Sequence, residues 1–138
     1  MKRKMKSSVA SSVKTADSVS VEKAILIVED DADLRHIVQL ILEDEGFIVE
    51  MAGDGKEALN YAMAKKPSLV LLDMALPIID GYGVAAGLHQ VYGDSVAIIV
   101  MTADGRAAEK ARDIGAIGYV SKPFELDTLV NAVRAALE

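Results

Sequence analysis

Leu69-Val70-Leu71-Leu72-Asp73 is a run of four apolar residues that ends on a carboxylate, and Met74-Ala75-Leu76-Pro77-Ile78-Ile79-Asp80-Gly81 follows it. A short, continuous apolar run bounded by turn residues predicts a strand buried on both faces, as in a parallel sheet. Nothing in a core wants an acid, so a strand that carries one at its carboxyl end presents it at the rim. Asp73 is therefore the first candidate for chemistry. The plainer alternative is that Asp merely suits the turn that follows, and the surrounding chain decides between the two.

Outward from this strand, short apolar runs alternate with amphipathic stretches. On the amino-terminal side, Ala24 to Val28 reads as a strand. Leu34, Ile37, Val38, Ile41 and Leu42 then recur at helical spacing until Gly46. Phe47 to Met51 reads as a second strand and Asp54-Gly55 as a turn. Leu59, Ala62 and Met63 mark a helix face that Pro67 stops. On the carboxyl side, Val84, Leu88 and Val91 give a helix, Val96 to Met101 a fourth strand, and Ala107, Ala111 and Ile114 a short helix. Tyr119-Val120 is a brief fifth strand before a last helix with Leu126, Leu129, Val130, Val133 and Leu137. Five strand and helix units in order predict a doubly wound α/β fold, a five-stranded parallel sheet with helices on both faces, because parallel neighbours need right-handed crossovers.

The chain has 138 residues, enough for one domain, and a 4% aromatic share predicts a core of aliphatic side chains. It has no cysteine, which excludes disulfides, thiolate metal sites and cysteine nucleophiles and suits a cytoplasmic protein. Any metal must use oxygen or histidine ligands. The longest apolar run is Val96 to Met101, far short of the roughly 20 residues that span a bilayer, so no membrane span is expected. Residues 1–20 carry Lys2, Arg3, Lys4, Lys6 and Lys14 against Asp17, and read as a flexible basic Ser/Lys-rich tail ahead of a domain over 21–138. Net charge is −6, so removing the tail's surplus of four positive charges leaves the domain at −10. An acidic domain argues against direct DNA binding, which draws most of its affinity from phosphate neutralisation.

Ligands in open α/β sheets bind outside the carboxyl ends of the strands. At that rim the first strand ends in Glu29-Asp30-Asp31, the third in Asp73 and the fourth in Thr102-Ala103, while the fifth runs into Lys122-Pro123. Only the second strand delivers no reactive group. Crowded carboxylates repel one another unless a cation shares the site, and oxygen-only ligands suit Mg²⁺ or Mn²⁺. A metal beside a carboxylate, with Lys and Thr alongside, suits phosphoryl transfer, in which Asp73 would be the nucleophile.

These residues resemble the receiver domain of two-component response regulators, in its stand-alone single-domain form. The resemblance runs from about Lys23 to Glu138. It rests on Ile-Leu-Ile-Val-Glu-Asp-Asp (25–31), Asp54-Gly55 with Glu57-Ala58-Leu59, Leu-Val-Leu-Leu-Asp (69–73), Leu76-Pro77 with Asp80-Gly81, Met101-Thr102-Ala103, and Gly118-Tyr119-Val120-Ser121-Lys122-Pro123-Phe124. It implies a flavodoxin-like (βα)5 fold and a phosphorylation-activated switch rather than an enzyme with an external substrate. Asp73 would be the phosphoacceptor, with Glu29, Asp30, Asp73 and the backbone carbonyl of Ala75 holding Mg²⁺. Thr102 and Lys122 would meet phosphoryl oxygens, and Tyr119 would be the aromatic switch residue. The Lys122–Pro123 bond is often cis in this family. Glu29 stands where the family more often has Asp, so its longer side chain is expected to reach the metal through water and weaken binding modestly. Ala75 and Asp104 sit where the family varies and tunes dephosphorylation. The implied partners are a sensor histidine kinase or histidine phosphotransfer protein, and a downstream protein target at the face of the last two helices. No output domain is expected after the last helix, so the expectation is a stand-alone regulator or a receiver excised from a hybrid histidine kinase.

Competing readings are weaker. Gly81-Tyr82-Gly83-Val84-Ala85-Ala86-Gly87 spaces its glycines GxGxxxG and starts eight residues after Asp73, so close helix packing explains it better than dinucleotide binding. An aspartate-nucleophile phosphatase of the haloacid dehalogenase type would need an acid/base residue where Ala75 stands. A receiver-fold binding module that is never phosphorylated is disfavoured by the joint presence of Asp73, Asp30, Thr102 and Lys122. His36 and His89 are read as helix-surface residues, and the mixed charges of 106–113 as a solvated face.

Overall fold

The computed structural model describes residues 23–138. The tail reading over 1–20 lies outside these residues. Five strands, β1 (Ala24–Val28), β2 (Ile48–Ala52), β3 (Leu69–Asp73), β4 (Ala97–Thr102) and β5 (Gly118–Ser121), alternate with α1 (Ala32–Asp44), α2 (Gly55–Ala64), α3 (Gly81–Tyr92), α4 (Ala107–Ile114) and α5 (Leu126–Leu137).

The strands form one parallel sheet in the order β2-β1-β3-β4-β5, so all five carboxyl ends share one rim and β3 lies at the centre. Successive side chains of a strand point to opposite faces, and here both faces are apolar. Ile25, Ile27, Leu69, Leu71, Ile99 and Met101 pack with Val38 and Leu42 of α1 and Leu129 and Val133 of α5. Leu26, Val28, Val70, Leu72, Ile98 and Val100 pack on the other face with Ala58 and Ala62 of α2, Val84 and Leu88 of α3, and Ala111 of α4. Apolar residues on both faces explain why β3 reads as an unbroken run.

Most element boundaries follow from local chemistry. Asp31 caps α1 by accepting from the N–H groups of Asp33 and Leu34 at 3.0 and 3.1 Å. Asp80 caps α3 through the N–H of Gly83 at 2.9 Å. The turn expected at Asp54-Gly55 is instead the start of α2, with Asp54 accepting from the N–H of Glu57 at 2.7 Å. Asp favours turns and helix caps for one reason, its short acceptor side chain, so the dipeptide alone does not separate them. Gly55 is required by contact, because a Cβ there would lie 1.9 Å from the Ile79 carbonyl oxygen. β2 starts at Ile48 rather than Phe47 because the Phe47 N–H donates back to the Leu42 carbonyl and closes α1. β4 is shifted likewise, to Ala97–Thr102, by its register with Leu69 of β3 and Ser121 of β5. The GxGxxxG stretch packs as expected, a Cβ at Gly81 falling 2.6 Å from the Met74 Cα and one at Gly87 2.6 Å from the Leu59 Cδ2.

Candidate functional site

Register brings the acidic residues together. Val28 of β1 pairs with Leu72 of β3, so the next residues, Glu29 and Asp73, leave the sheet side by side. Thr102 pairs with Ser121 at the end of β4 and β5, and the Lys122 N–H donates to the Thr102 carbonyl at 2.9 Å, which turns Lys122 towards the centre of the rim. The Lys122–Pro123 peptide bond is cis. The cleft so formed is lined by Glu29, Asp30, Asp31, Asp73, Ala75, Thr102, Ala103, Asp104, Lys110 and Lys122.

Burial at this rim is unusual for polar groups. Glu29 is 1%, Thr102 3% and Asp73 5% exposed. Lys122 serves both acids, its ammonium forming an ion pair with Glu29 and lying 3.2 Å from Asp73 Oδ2. The other Glu29 oxygen accepts from the Asp31 N–H at 3.1 Å, and Asp73 Oδ1 accepts from the Ala75 N–H at 3.0 Å. Arg35 of α1 donates to the Glu29 carbonyl at 2.7 Å and ties the loop to that helix. Burial pushes the Glu29 carboxyl up, outweighing the hydrogen bond from Lys122. For Lys122, burial works against the ammonium, yet the Glu29 hydrogen bond and the Asp73 charge prevail and hold it protonated above its ordinary range.

Among the described residues Glu29, Asp30 and Asp73 each offer a carboxylate oxygen, all within 4.8 Å of one another. That spacing fits a single divalent cation, whose opposite oxygen ligands stand about 4 Å apart for Mg²⁺. The donors are oxygens only, and Asp30 is exposed, so room is left for the waters such an ion keeps. Three carboxylates against one Lys122 ammonium also leave negative charge uncompensated. The residues present fit Mg²⁺ or Mn²⁺.

The structure therefore gathers Glu29, Asp30, Asp73, Ala75, Thr102 and Lys122 in one cleft. Tyr119 stands apart from it on β5, 52% exposed. Asp31, counted among the rim acids, is occupied as the α1 cap. His36 is exposed, whereas His89 is half-buried, its ring within hydrogen-bond distance of the Ile114 carbonyl and 3.5 Å from Asp94. Lys110 also lines the cleft with its ion-pair partner Asp104, although the sequence suggested a solvated face over 106–113. One signal for Lys110 lies in the pattern, since it falls between the buried Ala107 and Ala111 at the border of the packed face of α4.

The chain is similar to known proteins over most of its length. Residues 25–134 match the response regulator receiver domain. The response regulator MprA of Mycolicibacterium vanbaalenii is 38% identical over 115 residues, covering 82% of this chain and 49% of the relative. The transcriptional regulatory protein PdtaR of Mycobacterium tuberculosis is 37% identical over 124 residues, covering 89% and 60%. The chain thus spans about half the length of the curated relatives it matches. Among solved structures, the receiver domain of NtrX from Brucella abortus superimposes with a TM-score of 0.76 at 31% identity, over 82% of this chain and 97% of that one. The chemotaxis protein CheY4 of Vibrio cholerae gives 0.77 at 28% identity, over 85% and 100%.

Proposed function

The chain belongs to the response regulator receiver domain family of two-component systems, and from that premise we propose that it is a phosphorylation-controlled switch whose acceptor is Asp73. A phosphohistidine on a sensor kinase or phosphotransfer protein is the donor. An Asp73 carboxylate oxygen forms the new P–O bond as the P–N bond breaks. The imidazole leaves with the bonding electron pair and takes a proton from solvent, and the product is an aspartyl phosphate. The single observation that carries this reading is the buried Asp73 at the carboxyl end of the central strand, with Lys122 3.2 Å from it and two more carboxylates beside it.

Each side chain has a physical task. Asp30, Asp73, the Ala75 carbonyl and, through its longer arm, Glu29 would hold Mg²⁺, which when bound neutralises charge on the transferring phosphoryl oxygens. Lys122 is already held protonated at Asp73 and pairs with a phosphoryl oxygen. Thr102 donates its hydroxyl to another. Tyr119 then follows Thr102 inward from its exposed position on β5, which alters the face made by α4, β5 and α5 for a protein target. Output depends on how differently that target binds the two states. The domain assists its own phosphorylation and hydrolysis but, beyond taking up the donor's phosphoryl group, turns over no external substrate. A cytoplasmic location fits the cysteine-free composition, and no helix among the described residues is long and apolar enough to cross a membrane.

The test is transfer from a radiolabelled phosphohistidine donor. The label is expected on the peptide containing Asp73 and to be released by hydroxylamine, as an acyl phosphate is. Label on a Ser or Thr, stable to hydroxylamine, or on a His, stable to alkali, would overturn the assignment.

A further inference from the structure

Lys110 is a cation of the acceptor cleft that the mechanism above leaves without a task. Its side chain is only 16% exposed although it projects from a surface helix, and lysines are seldom so covered unless they are paired. Its ammonium forms an ion pair with Asp104, which lies two residues beyond Thr102 in the loop entering α4. Asp104 Oδ1 also accepts from the Arg106 N–H at 2.9 Å. Hydrogen bonding from Lys110, then from the Arg106 N–H, holds the Asp104 carboxyl below its usual range.

The neighbouring pair shows what an ordinary surface contact looks like on this helix. Arg106 and Glu109 are joined at (i, i+3) with side chains 60% and 47% exposed, a solvated arrangement worth little. Lys110 differs in burial and in direction, since it faces the cleft shared by Asp73, Thr102 and Lys122. That cleft holds five carboxylates against two ammonium groups. A phosphoryl group carries about −1.5 to −2 charge and three strong acceptor oxygens, whereas Asp104 offers a single charge.

We propose, resting on the phosphoacceptor reading of Asp73, that Lys110 is a second lysine of the phosphoryl site, held off by Asp104 until Asp73 is phosphorylated and then turned onto a phosphoryl oxygen. Its proton stays on the ammonium throughout, and only the acceptor changes. Asp104 is the positioning residue of this device. Because the Asp104–Lys110 pair ties the Thr102 loop to α4, the exchange of partners also hands the loop's movement to that helix.

The experiment is titration with beryllofluoride in the presence of Mg²⁺, a probe that forms a tetrahedral phosphoryl-like group on an aspartate, with affinity read by calorimetry and one-dimensional NMR. The proteins are the wild type, K122M, K110M, D104N and D104N/K110M. K110M is expected to lose about tenfold in affinity, the size of one charge-assisted hydrogen bond. D104N is expected to gain affinity, because Lys110 is released. The double variant should stay as weak as K110M and, having no unpaired partner, also controls for misfolding. Wild-type affinity in K110M with a loss in K122M would overturn the role of Lys110 while leaving Asp73 as acceptor. Recovery of wild-type affinity in the double variant would overturn it too, since Lys110 would then serve only to neutralise Asp104. No binding to the wild type would remove the acceptor reading and this one with it.

Discussion

At the scale of single residues, Lys122 balances two buried acids, and its loss has a definite pH signature. Its pKa is raised on folding, so its contribution is fully present below the ordinary lysine value near 10.5 and is lost as pH climbs through the folded value. Lys122→Met leaves Glu29, which burial already pushes up, without its cation. The folded variant then binds more protons than the unfolded chain, so its stability falls as pH rises through the carboxylate range. Urea unfolding should show a loss of about 2 kcal/mol at pH 7, below the cost of breaking a fully enclosed pair because Asp30 keeps one side wet, and a smaller loss near pH 5. An equal loss at both values would contradict this account. Ile78 makes a second point. It is a β-branched residue at φ 71° and 75% exposed, so it carries strain without burial to offset it. Ile78→Gly should therefore stabilise the domain by roughly 0.5–1 kcal/mol in the same assay, after the entropy cost of glycine is subtracted.

What the sequence revealed at this scale was the set of strand ends. Asp73, Glu29, Asp30, Thr102 and Lys122 were legible because a strand delivers its last residue to a known rim. The Asp104–Lys110 pair was not, because it depends on how α4 is rotated about its axis, and four small or apolar residues in eight, Ala107, Ala108, Ala111 and Ile114, fix that rotation only loosely. Nor was the Glu29–Lys122 pair, whose partners are 93 residues apart. Only the strand order makes them neighbours.

At the scale of elements, α2 is held to α3 and to the loop before it by close contacts that leave no room for a methyl group. Gly55→Ala places a Cβ 1.9 Å from the Ile79 backbone oxygen, while Gly87→Ala meets the Leu59 Cδ2 at 2.6 Å. Backbone cannot move aside as a leucine side chain can. Gly55→Ala should therefore cost at least about 2 kcal/mol, and Gly87→Ala under 1 because helix propensity returns about 1 kcal/mol. The reverse order in chemical denaturation would mean that the packing of α2 on the loop before α3 is looser than described. Strand and helix identities were all readable, since period-two and helical spacings are local. Boundaries were less so. Phe47 belongs to the closure of α1 and Gly55 to the first turn of α2, and both assignments rest on hydrogen bonds three to five residues away that apolar spacing does not register.

At the scale of the whole molecule, a parallel sheet collects every strand end at one rim, and β5 at its edge leaves Tyr119 exposed. The proposed switch joins these two places through Thr102. Thr102→Ala should therefore still take up a phosphoryl group on Asp73 while Tyr119 stays exposed. NMR of the tyrosine rings with and without beryllofluoride checks this, and burial of Tyr119 in the variant would break the proposed link. The central claim, that Asp73 is the acceptor and needs a divalent cation, is tested most directly by intact-mass spectrometry after incubation with acetyl phosphate. Wild-type protein should gain one phosphoryl group with Mg²⁺ and none with a chelator, and Asp73→Asn should gain none under either condition. An equal gain in Asp73→Asn, or no gain in the wild type under any divalent cation, would contradict the account and favour a receiver-fold binding module that works without phosphorylation.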